Sequence, residues 1–254
     1  MRLMDRPHLH SPDHRSADPR LVRTGLFSAA LSVTLVVLVA VSWSPLMSVD
    51  RTIADTLHRS AVDEPALVQV NRVLTDWVWD PWTMRAAIAV TAIALWWRGS
   101  RWLAVWVAAT SALSTLVQQV LKAAVGRDRP RWPDPVDSAH YAAFPSGHVM
   151  TAVVTCALLL WLLRLHGTGP LVWRTALVVA VVSVVGVAFT RVYLGVHWMT
   201  DVVGGTLLGV TMVAFSILGY TVFQGRRADG RNERGRLSRA DRDHGHRHND
   251  GIQP

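Results

Sequence analysis

Three short stretches of the chain carry side chains suited to one kind of chemistry. The first runs Lys122-Ala-Ala-Val-Gly-Arg-Asp-Arg129-Pro130. The second is Pro145-Ser146-Gly147-His148, and the third runs from Thr190-Arg191 to His197 and Asp201. Lys122, Arg129 and Arg191 offer three positive charges. Arginine forks grip phosphate oxygens in pairs, and lysine acts as a point charge. Lys122 is the single lysine beside 25 arginines, a compositional outlier that suggests a specific demand. Ser146 is a good N-cap and Gly147 lets a ligand approach the backbone. The free N–H groups and positive dipole end of a helix opening there favour an anion. Together these groups describe a binding site for a dianionic tetrahedral group.

Two histidines and a carboxylate add reactivity. His197 and Asp201 are spaced i, i+4 at the start of a helix, so they stack on one face. A carboxylate on one ring nitrogen fixes the tautomer and leaves the other nitrogen as a nucleophile. His148 follows the phosphate-cradling turn and is placed to protonate a leaving oxygen. The stretches are poor in carboxylates, whereas a two-metal phosphatase needs several, so phosphoryl transfer without metal or other cofactor is the natural reading. Taken singly, an arginine at a membrane edge is a snorkelling anchor, and Arg127 and Arg131 are read so.

The elements that must position these groups are membrane helices. Of 254 residues, 50% are hydrophobic and only 17% charged, against roughly a quarter charged in soluble domains. One cysteine excludes an intramolecular disulfide framework and a thiolate metal cluster. The net charge of +8 does not point to nucleic acid, because 13 of the 26 basic residues lie in two polar tails, five before the first apolar run and eight after the last. Gly25–Val49, Trp102–Leu121 and Val202–Gly225 are uncharged and long enough to cross a bilayer. Three further spans are shorter. Ala86–Trp97 needs Pro81–Met84 and a snorkelling Arg85, Val149–Leu163 extends backward through Tyr141–Gly147, and Thr175–Thr190 lies between arginines. In lipid these runs must be helices. The expected fold is therefore all-α, a polytopic membrane bundle of six transmembrane helices with polar N- and C-terminal tails. The units are a basic cytoplasmic tail over 1–24, a six-helix domain over 25–222 and a disordered Arg/His-rich cytoplasmic tail over 223–254.

With the N-terminus inside, 17 of the 26 basic residues fall on the cytoplasmic side. No span separates the first stretch from the second, and two separate the second from the third. All three then share one face, which is the outer, extracytoplasmic one. The segment Asp50–Asp80 reads as one or two short helices on the membrane surface, with a headgroup lid as the sharper alternative. Cleavage of the first span as a signal peptide is disfavoured by its length. Gly204, Gly205 and Gly209 suit close contact inside the bundle.

At these residues the sequence resembles the type 2 phosphatidic acid phosphatase family, which shares its core with vanadium haloperoxidases. That family's pattern reads Lys-x6-Arg-Pro, then Pro-Ser-Gly-His, then Ser-Arg-x5-His-x3-Asp. Here it falls on Lys122 to Arg129-Pro130, on Pro145 to His148, and on Arg191, His197 and Asp201, with Thr190 in place of serine. The resemblance implies that Lys122, Arg129, Ser146, Gly147 and Arg191 bind phosphate and that His197 attacks phosphorus to form a phosphohistidine. It implies that Asp201 orients His197, and that His148 serves the leaving group and then water. It also implies a membrane-integral phosphatase without metal. An outward site at a membrane suits a lipid phosphate or pyrophosphate: polyprenyl pyrophosphate, favoured by analogy, phosphatidylglycerol phosphate or phosphatidic acid. The alternative is a non-catalytic phosphate- or lipid-binding membrane or transport protein. The expected partners are the lipid substrate and the bilayer, not nucleic acid.

Overall fold

The structure, a computed structural model, describes residues 18–249, with side-chain environments through Gly230. The expected basic tail thus lies outside the described residues up to position 17, as does the end of the C-terminal tail beyond 249. Among the described residues every regular element is helical. The helices are α1 (Pro19–Ala40), α2 (Ser44–Asp63), α3 (Pro65–Val73, continued by a π-turn over Leu74–Val78), α4 (Pro81–Trp97), α5 (Arg101–Val125), α6 (Gly147–Leu165), α7 (Pro170–Tyr193) and α8 (Met199–Asn249).

Local chemistry explains where they start. Prolines occupy the first turn of α1, α2, α3, α4 and α7, where the missing N–H costs nothing and the ring presets the backbone. Asp18 caps α1 through the Arg20 N–H at 2.9 Å, and Asp80 caps α4 through Trp82 at 2.7 Å and Thr83 at 3.2 Å. At the end of α5, Gly126 takes the left-handed conformation (φ 59°) and returns its N–H to the Lys122 carbonyl.

Two boundaries differ from expectation. The apolar run Gly25–Val49 is not one span. It breaks at Val41–Trp43, where Ser42 has φ 52°, and Pro45 opens α2, so Ser44–Val49 belongs to the next element. Likewise α6 does not extend back through Tyr141. Tyr141 has φ 68°, and the helix begins at Gly147. The second expected span does start at Pro81, giving α4 17 residues, about 26 Å at 1.5 Å per residue. Five helices, α1, α5, α6, α7 and the Met199–Gly230 part of α8, are long and apolar enough to cross a membrane. Beyond them, α8 stays helical through Asn249 without a proline to stop it, where a disordered segment is expected from 223.

At the centre stands α6, packed against α4, α5, α7 and α8, while α1 lies along α8. Val149, Val153, Val187 and Val202 pack in one buried cluster and Leu158, Val107 and Val213 in another. Val178, Val179, Val181, Val182 and Val185 of α7 face outward, as suits lipid. Since lipid is as apolar as a valine, close approach depends on small residues. A Cβ at Gly204 would strike the Phe144 ring at 2.5 Å, one at Gly205 the Ser146 carbonyl at 2.7 Å, and one at Gly209 Val153 at 2.8 Å. The three glycines therefore seat α8 against α6 and the loop that leads into it, within the bundle as expected. Helices α2 and α3 account for most of Asp50–Asp80 and pack on α7, α2 also on α8. Their buried face includes Asp50, Ala54, His58 and Ala61 at helical spacing.

Candidate active site

The C-terminal ends of α5 and α7 and the N-terminal ends of α6 and α8 meet in one layer. Two backbone hydrogen bonds tie the stretches together. The Ala143 N–H donates to the Arg127 carbonyl at 2.8 Å, and the Ser146 N–H to the Asp201 carbonyl at 3.0 Å. A tight turn after α7, in which Val196 and His197 N–H groups donate to the Arg191 carbonyl at 3.3 and 3.2 Å, brings His197 back toward Arg191.

All eight residues singled out in the sequence lie in or beside this layer. Lys122, on the last turn of α5, is buried and its ammonium donates to the Ala142 carbonyl. Arg129 donates from Nε to Tyr141 O at 2.9 Å and from Nη2 to His140 O at 3.1 Å, while Nη1 reaches Val196 O. The same Nη1 lies 3.2 Å from His197 Nε2. Arg191 is buried at the end of α7. Its Nη1 donates to Thr75 Oγ1 at 3.4 Å, and its Nε has no hydrogen-bond partner among the described residues. His148 is half-buried on the first turn of α6, directly after Gly147.

Ser146 occupies the N-cap position of α6 without capping through its side chain, and its buried Oγ has no partner among the described residues. The hydroxyl is thus available to a ligand. Gly147 has a packing reason beside the expected one. A Cβ there would meet Gln118 Nε2 at 2.7 Å, so the amide of α5 occupies the room a side chain would need.

His197 Nδ1 lies 3.2 Å from Asp201 Oδ2. A carboxylate only accepts, so the proton of the neutral ring belongs on Nδ1 and the lone pair on Nε2, facing Arg129. Burial first, then the charges of Arg129, Arg191 and Lys122, hold the imidazole well below its usual range. The ring is therefore neutral, and Nε2 can attack an electrophile. Burial also lowers Arg129 from its ordinary value, opposed by Asp201.

Arg127 corrects the reading that made it a snorkelling anchor. Its side chain is only 9% exposed and bridges two carboxylates, Asp50 and Asp201, each at 2.6 Å. Arg131, by contrast, is 83% exposed and among the described residues pairs only with Asp128, at 3.2 Å. Asp50, Thr75, Gln118 and Thr200 also escape a sequence argument. The nearest signal was the Arg127-x-Arg129 repeat in a loop bearing more positive charge than a single anchor requires.

A cleft of about 420 Å³, lined by Arg129, Trp132, Asp137, Tyr141 and Val196, opens beside the site. A larger one, of about 590 Å³, is lined by Asp50, Arg127 and Trp198 and by none of the phosphate-binding candidates.

Residues 103–224 match the PAP2 superfamily. Phosphatidylglycerophosphatase B of Bacillus subtilis (strain 168) is 36% identical over 110 residues, which cover 41% of this chain and 51% of the relative. The chain thus spans about half the length of that curated relative. Among solved structures, the crystal structure of a transmembrane PAP2 type phosphatidylglycerolphosphate phosphatase from Bacillus subtilis superposes with a TM-score of 0.64 at 26% identity. The match covers 79% of this chain and 94% of that one. The helices that bring Lys122, Ser146 and His197 into one layer are those over which residues 103–224 of this chain match the PAP2 superfamily.

Proposed function

We propose that the chain is a membrane-integral, metal-independent phosphatase that hydrolyses a lipid phosphate through a phosphohistidine. One observation carries this reading: His197 Nε2, freed by the Asp201 contact on Nδ1, faces the Arg129 guanidinium at 3.2 Å. A phosphate gripped by Arg129 would lie against that lone pair. Lys122, Arg191, the Ser146 hydroxyl and the N–H groups opening α6 complete the cradle. They stabilise the charge on the equatorial oxygens as the transferring group flattens.

In the first step Nε2 forms a bond to phosphorus while the bond to the lipid oxygen breaks, and His148, which takes up a proton when the bound phosphate dianion offsets the surrounding cations, passes that proton to the lipid oxygen. In the second, water attacks phosphorus as His148 takes its proton. The N–P bond breaks, and the lone pair returns to His197. The net reaction consumes water and yields a lipid alcohol and phosphate. A cup lined by three cations is a poor host for a divalent metal. The named relatives support phosphatidylglycerol phosphate as substrate ahead of polyprenyl pyrophosphate or phosphatidic acid. We read α4 as the sixth span, which leaves both termini cytoplasmic and opens the cleft beside Arg129 to the outer water layer.

The test is phosphate release by detergent-purified protein from phosphatidylglycerol phosphate, phosphatidic acid, a polyprenyl pyrophosphate and a soluble phosphoester. Activity is expected to survive a chelator and to fall at least about 1,000-fold in His197→Ala. No release from any substrate, or full activity in that variant, points instead to a non-catalytic phosphate-binding protein.

A further inference from the structure

Asp50 stands on α2, outside the matched domain, and is 1% exposed. Its Oδ2 accepts from Arg127 Nη2 at 2.6 Å and from the Thr200 hydroxyl, while Oδ1 accepts from the Thr200 N–H at 3.0 Å. That N–H is one of the donors that the first turn of α8 leaves without an intrahelical partner. Arg127 Nη1 in turn donates to Asp201 Oδ1 and to Thr200 Oγ1, both at 2.6 Å. The other oxygen of Asp201 takes His197 Nδ1 at 3.2 Å and the Trp198 N–H at 2.9 Å. A continuous line of charged contacts runs from Asp50 to the imidazole.

We infer that Asp50 is a positioning residue for His197, acting through Arg127 and Asp201. This rests on His197 being the attacking group. A guanidinium fork fits one carboxylate with two parallel bonds. Left alone with Asp201, Arg127 would turn both nitrogens onto it and compete with His197 for Oδ2. Asp50 and Thr200 prevent this by holding Nη2 and the edge of Nη1, so Arg127 meets Asp201 at Oδ1 only. Oδ2 stays with the ring.

Charge balance points the same way. As the N–P bond forms, positive charge develops on the imidazole, and Asp201 must stabilise it. One guanidinium facing one carboxylate would cancel that field. Shared between two carboxylates, it leaves a net negative charge behind the ring. Arg127 is confined on its remaining sides by Met47 Sδ, 3.3 Å from Nη2, and by the Trp198 ring, whose centroid lies 5.6 Å from the guanidinium carbon. Among the described residues no hydrogen bond joins Asp50, Thr200 or the Arg127 side chain to Lys122, Arg129, Ser146 or Arg191. Asp50 therefore governs how well Nε2 attacks, not how well phosphate binds.

The test is a double-mutant cycle on full-length protein in detergent, with phosphatidylglycerol phosphate as substrate. Asp50→Asn is expected to lower kcat about 10- to 100-fold, the size of effect typical of groups that orient a functional histidine, with KM within about 3-fold. In an Asp201→Asn background the same change should have almost no further effect, because residues acting as a unit are not additive. An unchanged kcat in Asp50→Asn, or a loss that multiplies that of Asp201→Asn, overturns the proposal. If Asp50→Asn does not give a monodisperse protein, the cycle is run with Thr200→Val, which removes the hydroxyl that Asp50 and Arg127 share, and additivity there overturns it equally. Wild-type inactivity, or an active His197→Ala, would instead refute the underlying phosphatase reading.

Discussion

The nucleophilic role proposed for His197 depends on what surrounds it. Burial and three nearby cations depress its basicity, so the ring is neutral through the physiological range. The sign of the consequence is fixed. A nucleophile must be unprotonated, so the acid-side loss of kcat/KM due to His197 should lie below the ordinary histidine value of about 6.5. Arg129 is the largest depressing charge after burial itself. Arg129→Gln should therefore raise KM and also move that limb toward higher pH, with the same soluble substrate used for both proteins. A limb that stays in place would mean that His197 does not set it. All eight candidate residues were legible because their types are unusual in a membrane chain and their spacings are local. His197 and Asp201 need only the helical period to meet. Arg127 and Asp50 were not legible, since 77 residues separate them and nothing in either local sequence names the other.

At the scale of elements, the site depends on how closely α8 approaches α6. Replacing a helical glycine by alanine ordinarily gains about 1 kcal/mol of helix propensity. At Gly205 the added carbon would lie 2.7 Å from the Ser146 carbonyl, a backbone atom that cannot swing aside. Overpacking of this kind costs about 1–3 kcal/mol, so the net effect of Gly205→Ala should be a lower melting temperature. Because Ser146 also donates its N–H to Asp201, the same displacement should reduce activity by at least about 10-fold. A variant as stable and active as the wild type would show that the helices can part without cost. The glycine pattern itself was visible in the sequence. The atoms that demanded it, in Phe144, Ser146, Met150 and Val153, were not.

At the scale of the whole molecule, the ends of four helices bring the candidate residues into one layer, and the proposed topology turns that layer outward. Arginine placement favours the outside. Ser138 lies exposed in the loop between α5 and α6, and Ser100 lies exposed in the turn between α4 and α5. In a variant lacking Cys156, Ser138→Cys should react with a membrane-impermeant maleimide on intact cells. Ser100→Cys should react only after permeabilisation. The reverse pattern would place the site in the cytoplasm.

The sequence by itself determined that the chain is helical and membrane-suited, which residues are the candidates for phosphate-type chemistry, and that their stretches share one end of the bundle. Those properties follow from run length, helical period and the parity of crossings, all of which are local or countable. Only the tertiary structure decided that α2 reaches back to the start of α8, that Gln118 fills the space beside Gly147, and that Arg127 is shared between Asp50 and Asp201. These are pairings between distant segments. They depend on how helices pack against one another, and neither hydropathy nor spacing along the chain encodes that directly.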